Sequence, residues 1–503
     1  MADAYCIEPS FGPIFFHPGC TVIICIGCLT MLVLGIRWNK GTQTRDSRRV
    51  SIEQAPLKFL APRGRGETIL TRDEQDKLPG VAFVMPVKWT AIKSTSPKEN
   101  WRTQINSFYG GYFEAIFAVE SADDGAVSVI EELQAEMAES LGPGRIKLAV
   151  AGLSTTCSQK IFNMVAGARR ADPRCRYVFF LDANAALHPG TVLSMVHEIE
   201  QDDDVFVATG YPFDVPPPGA SLWSWTVAQF RWTCLSEFLS NRSTFVWGGA
   251  MLLRKSDLDE NRYGLMDLWL KGGYSDDMLV QATAQDNGRK IATPLTAIFP
   301  NTLKKDVPFS YAWDFLMRQN FVLFTYGSAG QLCRQALMIF AYAFFNVLFG
   351  PALLLAAASL PEAVLCPGRL DEAKHATHLG ACVLFFGLYV GAVFVLRANL
   401  RAIAGMCTVL SPEASAVDVS HVRPGRLAAS LLSQALFAPA VTMRNAACAT
   451  CKWGGIYYTR RRGRIVRVHR PGATTASSST RTADTKPAAP TSTGTVSVEM
   501  PSV

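Results

Sequence analysis

Residues 272–282 read GGYSDDMLVQA, which sets Asp276 and Asp277 side by side on a glycine hinge before a helix-prone run. One acid is enough to cap a helix. Two adjacent carboxylates repel, and in a dry site one of them holds its proton near neutral pH, which suits a general base. The alternative is a solvated cap. A second candidate is Asp182 in FFLDANAALHPG, where a strand of large apolar residues ends in D-x-N before a Pro-Gly turn. Hard divalent cations take such oxygens and bridge to phosphates, so Asp182 either holds a metal–diphosphate or simply turns the chain. A third is SADDGA, with Glu120 just before it and the pair Asp123 and Asp124 inside it. These acids either accept hydrogen bonds from a nucleotide base or ribose, or form a polar loop. In MRQN (317–320), the planar fork of Arg318 could grip a diphosphate, or the side chain snorkels at a membrane surface. Lys160 and Lys88 pose the same choice.

The elements that must position these residues alternate. Val81–Pro86, Ala115–Glu120, Ile146–Ala151 and Tyr177–Asp182 read as short buried strands. Lys98–Tyr109, with Trp101, Ile105 and Phe108 on one face, reads as a helix, as do Ala126–Leu141 and Gln159–Arg170. That alternation predicts an α/β domain with a parallel sheet covered by helices. Ligands bind beyond the carboxyl ends of such strands, and the acids sit there. The stretch Trp223–Trp232 carries three tryptophans at helical spacing, readable either as core or as the wall of an apolar portal.

Around this domain the composition changes. The 503 residues are 49% hydrophobic, with mean hydropathy +0.14. The runs Cys20–Ile36, Ala336–Leu355 and Leu379–Leu396 carry no charge and are long enough to cross a bilayer. Leu427–Met443 is weaker, with Gln434 and Pro439, and is expected to be re-entrant or interfacial. Basic residues follow the first run while Asp3 and Glu8 precede it, which argues against a cleaved signal peptide. The same asymmetry puts the N-terminus in the lumen and the central domain in the cytosol. The expected order is a lumenal segment (1–19), a span (20–38), a cytosolic linker (39–78) and the catalytic domain (79–330). A membrane region (331–450), a basic cytosolic segment (451–470) and a disordered tail (471–503) follow. Thirteen cysteines are scattered without a framework, and the lone Cys448-x-x-Cys451 pair lacks the partners of a zinc site. The net charge of +7 gathers partly at Arg460–Arg470, where a membrane surface explains it better than nucleic acid.

Taken together these segments resemble the ceramide glucosyltransferases, within the inverting family-2 glycosyltransferases and close to their plant and algal branch. The likeness rests on NWRTQINSFYGGYFEAIFAVESADDGA (100–126), CSQKIFNMV (157–165), FFLDANAALHPG (179–190), TGYPFDV (209–215) and FVWGGAMLLRKSDL (245–258). It continues through DENRYGLMDLWLKGGYSDDMLVQA (259–282), MRQNFVLFTY (317–326) and CKWGGIYYTRRRGRI (451–465). The resemblance implies a GT-A fold, UDP-glucose as donor, ceramide as acceptor, and a divalent metal, Mg²⁺ or Mn²⁺. It also implies a Golgi or ER membrane location. Asp124, with Glu120 and Asp123 beside it, matches the acidic motif on the nucleotide side, and Asp182 the one at the metal and diphosphate. Asp277 matches the general base on the ceramide hydroxyl, with Asp276 tuning or orienting it. Arg318 and Gln319 match the start of the Q-x-x-R-W motif at the diphosphate, while Trp223 falls in the stretch that could admit the lipid. Three departures stand out. Val322-Leu323 replace the R-W pair, Asn301 stands where relatives often have His, and Asn184 replaces the second acid of D-x-D. The rival expectations are a family-2 transferase acting on a polyprenyl phosphate or other lipid, and a catalytically dead membrane scaffold.

Overall fold

The computed structural model describes residues 19–29, 32–33, 36, 72–89, 97–105, 109–294, 296–365, 372–411 and 417–471. The expected lumenal segment up to 18, the linker up to 71, Phe108 and the tail from 472 lie outside the described residues.

Eight strands form one mixed sheet. In chain order they are β1 (Gly80–Pro86), β2 (Phe113–Val119), β3 (Ile146–Val150), β4 (Cys175–Leu181), β5 (Val205–Thr209), β7 (Arg242–Ser243), β8 (Ala250–Arg254) and β9 (Lys290–Ala292). Their spatial order is β3-β2-β1-β4-β8-β5-β9-β7. The first four are mutually parallel, as the sequence pattern predicts, and β8 runs antiparallel to both β4 and β5. The chain reverses its direction of growth between β1 and β4, and a crevice opens at the carboxyl ends of strands at such a point.

Period-two alternation explains the two cores. Val81, Phe83 and Met85 of β1, with Tyr177, Phe179 and Leu181 of β4, face one side and pack with Trp101, Ile130 and Leu133. Ala82, Val84, Val178 and Phe180 face the other side and pack with Ile161, Met164, Trp269 and Val280. A two-stranded parallel sheet, β6 (Tyr211–Val215) with β10 (Ile298–Thr302), extends the domain. Against it pack the helix Leu222–Leu235 and a bundle of long helices, Ala329–Leu365, Glu372–Leu410 and Pro424–Ala447. Within that bundle His375–Leu410 is long and apolar enough to cross a membrane, with hydropathy 2.4. Gly19–Leu29 and Phe349–Pro361 are apolar but shorter among the described residues. The run 427–443 lies inside the single helix Pro424–Ala447, one side of which is buried. The outer surfaces of the bundle expose Leu337, Phe340, Leu354, Val383, Phe394 and Met443.

The last described elements are the three strands of an antiparallel sheet, β11 (Thr450–Trp453), β12 (Ile456–Arg461) and β13 (Arg464–His469). It folds back on the main domain. Ile456, Tyr458 and Ile465 bury against Tyr274 and Phe321. Ile465 N–H donates to Gly272 O at 2.9 Å, and Tyr326 N–H to Gly463 O at 3.0 Å.

One histidine joins the α/β domain to the bundle. His188 is buried, with Nε2 2.8 Å from Ile298 O and Nδ1 2.6 Å from Ser411 Oγ. A carbonyl only accepts, so Nε2 carries the proton and Nδ1 accepts from the serine hydroxyl. Burial pushes the His188 pKa down to about 4. The unfolded chain therefore binds this proton more readily. The stabilisation is complete above about pH 6.5 and is lost as pH falls towards 4, amounting to about 3 kcal/mol. The unfolding midpoint in detergent is expected to fall more steeply between pH 6.5 and 4 in the wild type than in His188→Gln. Equal slopes would show that His188 does not carry the effect.

Candidate active site

The helix Gln159–Ala168 begins at the mouth of the crevice, where Ser158 caps it by accepting from Ile161 N. Its first turn is fixed from several sides. Gln159 Nε2 donates to Gly152 O and to Asn163 Oδ1, both at 2.8 Å, and Gln159 Oε1 accepts from Ser154 N at 2.9 Å. Ser158 N donates to Gly273 O at 2.8 Å. This scaffold aims Lys160 at the ends of the neighbouring strands.

Lys160 Nζ lies 2.9 Å from Asp182 Oδ1 and 3.0 Å from Asp276 Oδ2, and donates to Gly248 O at 3.0 Å. Burial alone would lower its pKa, but Asp182, Asp276 and Asp277 outweigh burial and hold it above its ordinary value, so it stays charged. Gln104 Nε2 fixes the loop after β4 by donating to Asp182 O at 2.7 Å and to Ala185 O at 2.9 Å. Asp182 is half-buried and Asn184 exposed.

The two hinge acids have divided their surroundings. Asp276 is buried and turned inward to Lys160. Burial, opposed by Lys160 and reinforced by Asp277 and Asp182, pushes its pKa up to about 7. Asp277 is half-buried. Its Oδ1 accepts from Met278 N at 2.8 Å and from the Ser275 hydroxyl, and its Oδ2 accepts from Gly248 N at 3.2 Å. Those contacts fix the carboxylate while leaving Oδ2 a further lone pair. The hinge exists because Gly272 has φ +90 and lies against the backbone of Ile465, a conformation and a gap that suit only glycine.

The other acids stand apart from this cluster. Glu120, just beyond β2, pairs with Lys88 at 2.5 Å. Asp124 Oδ1 accepts from Ala126 N at 2.9 Å and from Trp89 N at 3.1 Å, so it both starts a helix and ties down the loop after β1. Asp123 is exposed. Arg318 sits in the last turn of the helix Phe309–Phe321, with its guanidinium carbon 5.6 Å from the Trp453 ring centroid. Gln319 beside it is half-buried. The structure does not bring Trp223 to the carboxylates by any contact. Its ring packs with Phe309 and Phe437 at centroid distances of 4.9 and 5.6 Å, in an aromatic cluster between helices. Asn301, the departure from the expected histidine, is half-buried and donates to Oδ1 of the buried Asp214 at 2.6 Å. Among the described residues no group of three or more His, Cys, Asp or Glu side chains forms a ready-made metal site.

Residues 57–395 match the pattern of glycosyl transferase family 21. The chain belongs to that family. Family 21 comprises ceramide glucosyltransferases, which are GT-A-like glycosyltransferases, so the chain is a transferase of glycosyl groups. No curated protein matches it. Among solved structures it is similar to the mannosyltransferase PcManGT from Pyrobaculum calidifontis in complex with GDP-Man and Mn2+. That match has 14% identity over 71% of this chain and 98% of that one, with a TM-score of 0.37. It is similar also to S. aureus TarS, with 10% identity over 78% of this chain and 60% of that one, at a TM-score of 0.26. At these identities and scores the two structures say nothing about this chain's substrates.

Reading the sequence missed Gly248, whose role lies in the space it leaves. A Cβ there would stand 2.3 Å from Asp276 Oδ2 and 3.2 Å from Lys160 Nζ. Gly248→Ala is expected to lower kcat/KM for glycosyl transfer by about 10²-fold, the scale of a small misplacement of reacting groups. A fully active Gly248→Ala enzyme would place the reaction elsewhere.

Proposed function

We propose that this family 21 enzyme transfers glucose from UDP-glucose to the primary hydroxyl of ceramide with inversion, giving β-glucosylceramide and UDP. The observation that carries the reading is the split between the two hinge acids. Asp276 is neutralised by Lys160, while Asp277 keeps an accessible oxygen on a rigid support. In the transfer, Asp277 Oδ2 removes the hydroxyl proton as that oxygen attacks the anomeric carbon. The bond from that carbon to the phosphate oxygen breaks, and its electron pair leaves with UDP. Lys160 and Arg318 offset the charge that gathers on the diphosphate. Glu120, Asp123 and Asp124 lie on the nucleotide side.

A divalent ion fits this arrangement in one way. Asp182 has Oδ1 on Lys160, which leaves Oδ2 as the oxygen that would hold a divalent cation. When bound, such an ion offsets negative charge on the leaving diphosphate.

The acceptor reading draws support from the apolar exterior of the bundle. A soluble monomer seldom exposes so many large apolar side chains together, and a bilayer would cover them. On this reading the helices lie in a Golgi or ER membrane with the α/β domain on its cytosolic side, and a two-chain lipid reaches the site from the bilayer.

The test uses membranes from cells lacking their own glucosylceramide synthase, supplied with labelled UDP-glucose and short-chain ceramide. Wild type is expected to make β-glucosylceramide, EDTA to stop it, and Asp277→Asn to lose at least about 10²-fold at equal protein level. Hydrolysis of UDP-glucose without lipid product would reject ceramide as acceptor. An active Asp277→Asn enzyme would reject Asp277 as base.

A further inference from the structure

Most of the shielded arginines in this protein are held by carbonyl groups. Arg254 donates to Val205 O and Ile199 O, Arg464 to Leu268 O and Gly327 O, and Arg460 to Asn445 O. Arg231, on the helix Leu222–Leu235, is different. Its side chain is 19% exposed, its Nε is buried without a hydrogen-bond partner, and it makes no hydrogen bond with any described residue. Its contacts are an ion pair with Asp214, 3.7 Å from Nε to Oδ2, and the Phe315 ring, with Cζ 5.4 Å from the centroid. Asp214 does not need Arg231 as a hydrogen-bond donor, because Asn301 supplies one at 2.6 Å. A guanidinium has five donors, and here Nε is cut off from water while the partly exposed end of the group keeps its other donors free for a ligand.

The same ring connects Arg231 to the site. Phe315 lies on the helix that carries Arg318, and Arg318 Cζ stands 5.9 Å from its centroid. Arg318 also makes no hydrogen bond among the described residues, being held only by the Phe315 and Trp453 rings. Two uncommitted guanidinium groups thus share one aromatic ring. Burial opposes the charge on Arg231, while Asp214 first, then Tyr211 and Asp182, sustain it.

We propose that Arg231 is a second guanidinium ligand for the diphosphate of the nucleotide sugar, acting with Arg318 across the Phe315 ring. This inference rests on the donor reading given under the proposed function. Planar forks suit phosphate oxygens, and two forks on separate helices suit a group with two phosphates. Asp214 and Asn301 orient Arg231 from behind and do not touch the ligand.

The test measures binding of UDP and of UMP, each with Mg²⁺, to the purified full-length protein in detergent. The variants are Arg231→Met, Asp214→Asn and the two combined. Arg231→Met is expected to weaken UDP by about 10–100-fold, the scale of lost charge-assisted hydrogen bonds, and to leave UMP within a few-fold. Asp214→Asn keeps Arg231 and retains most UDP affinity, while the double variant stays as weak as Arg231→Met. If Arg231 serves only to neutralise Asp214, the double variant recovers UDP binding and the inference falls. It falls equally if UDP binds Arg231→Met as it binds wild type, or if UMP weakens as much as UDP. Wild type that binds neither nucleotide overturns the donor reading, and this inference with it.

Discussion

The site depends on one buried lysine. Lys160 carries its charge in a place where burial disfavours charge, and it does so because three carboxylates surround it. The dependence is mutual. Without the ammonium, Asp182, Asp276 and Asp277 would crowd negative charge into one shielded space, and the two-carboxylate repulsion that the DD pair suggests would extend to a third. With it, one acid is tied inward, one half-exposed oxygen pair remains at the strand end, and one carboxylate stays open to the crevice. Breaking such a group by removing one partner is far costlier than its net contribution to stability suggests, since the charge left behind stays buried. The surrounding architecture is therefore arranged to hold the lysine still. The Ser158 cap, the Gln159 network and the missing side chain at Gly248 all serve that end.

The C-terminal sheet extends the same constraint over a long sequence distance. Tyr458 Oη accepts from Gln159 N at 3.2 Å, next to Lys160, and its ring packs edge-on against Tyr274, next to the hinge acids. Arg470 donates to Ser154 O at 2.9 Å and to Gln159 Oε1 at 2.5 Å. The glycine turn between β11 and β12 lies against Lys88, the partner of Glu120, and Trp453 lies under Arg318. One small sheet therefore touches Arg318 itself and the supports of Lys160, Glu120 and the two hinge acids. Its arginines, which in sequence look like a membrane-surface patch, are in part spent on backbone carbonyls of the main domain.

Much of the domain was legible in the sequence for a simple reason. Strands β1, β2 and β4 are buried on nearly their whole length, β3 is a shorter, half-covered edge, and turns bound all four, so short apolar runs mark them clearly. The later strands were not legible. β7 has two residues and β9 three, and their pairing is decided by neighbours far away in the chain. The acids at strand ends were visible because topology places such ends in a crevice. The division of labour between Asp276 and Asp277 was not, since nothing local says which of two adjacent side chains will meet a lysine from another helix. Asp124 Oδ1 is engaged by Ala126 N and Trp89 N, contacts that the polar-loop reading did not specify. The tryptophans of that stretch pack against neighbouring side chains. Trp223 and Trp225 lie in aromatic clusters, and Trp232 donates from Nε1 to Asp214 O at 3.0 Å. Arg231, between those aromatics, left no trace in the pattern, for a lone arginine in an apolar helix has the same spacing whether its donors are spent or free.

The fold also resolves a conflict between the two chemistries proposed for it. Glycosyl transfer needs charged groups under fixed geometry, whereas a two-chain lipid needs an apolar approach. Here the transition between the two is short. β10 pairs with β6, whose buried Asp214 meets the half-buried Asn301 and Arg231, and the start of β10 accepts from His188 while His188 accepts from Ser411 at the end of the apolar helix. The helix Leu222–Leu235 presents Arg231 and Trp232 to that sheet, and other residues of it pack on Pro424–Ala447, where Thr226 and Ser433 hydroxyls meet at 2.9 Å. Among the described residues Ser236 Oγ, His421 Nδ1 and Asn320 Oδ1 are buried here without a hydrogen-bond partner, as is Arg231 Nε, and of these only the arginine carries a permanent charge. A joint that only separated water from lipid has no use for such a charge, so its place beside Asp214 and the Phe315 ring fits the chemistry on the charged side.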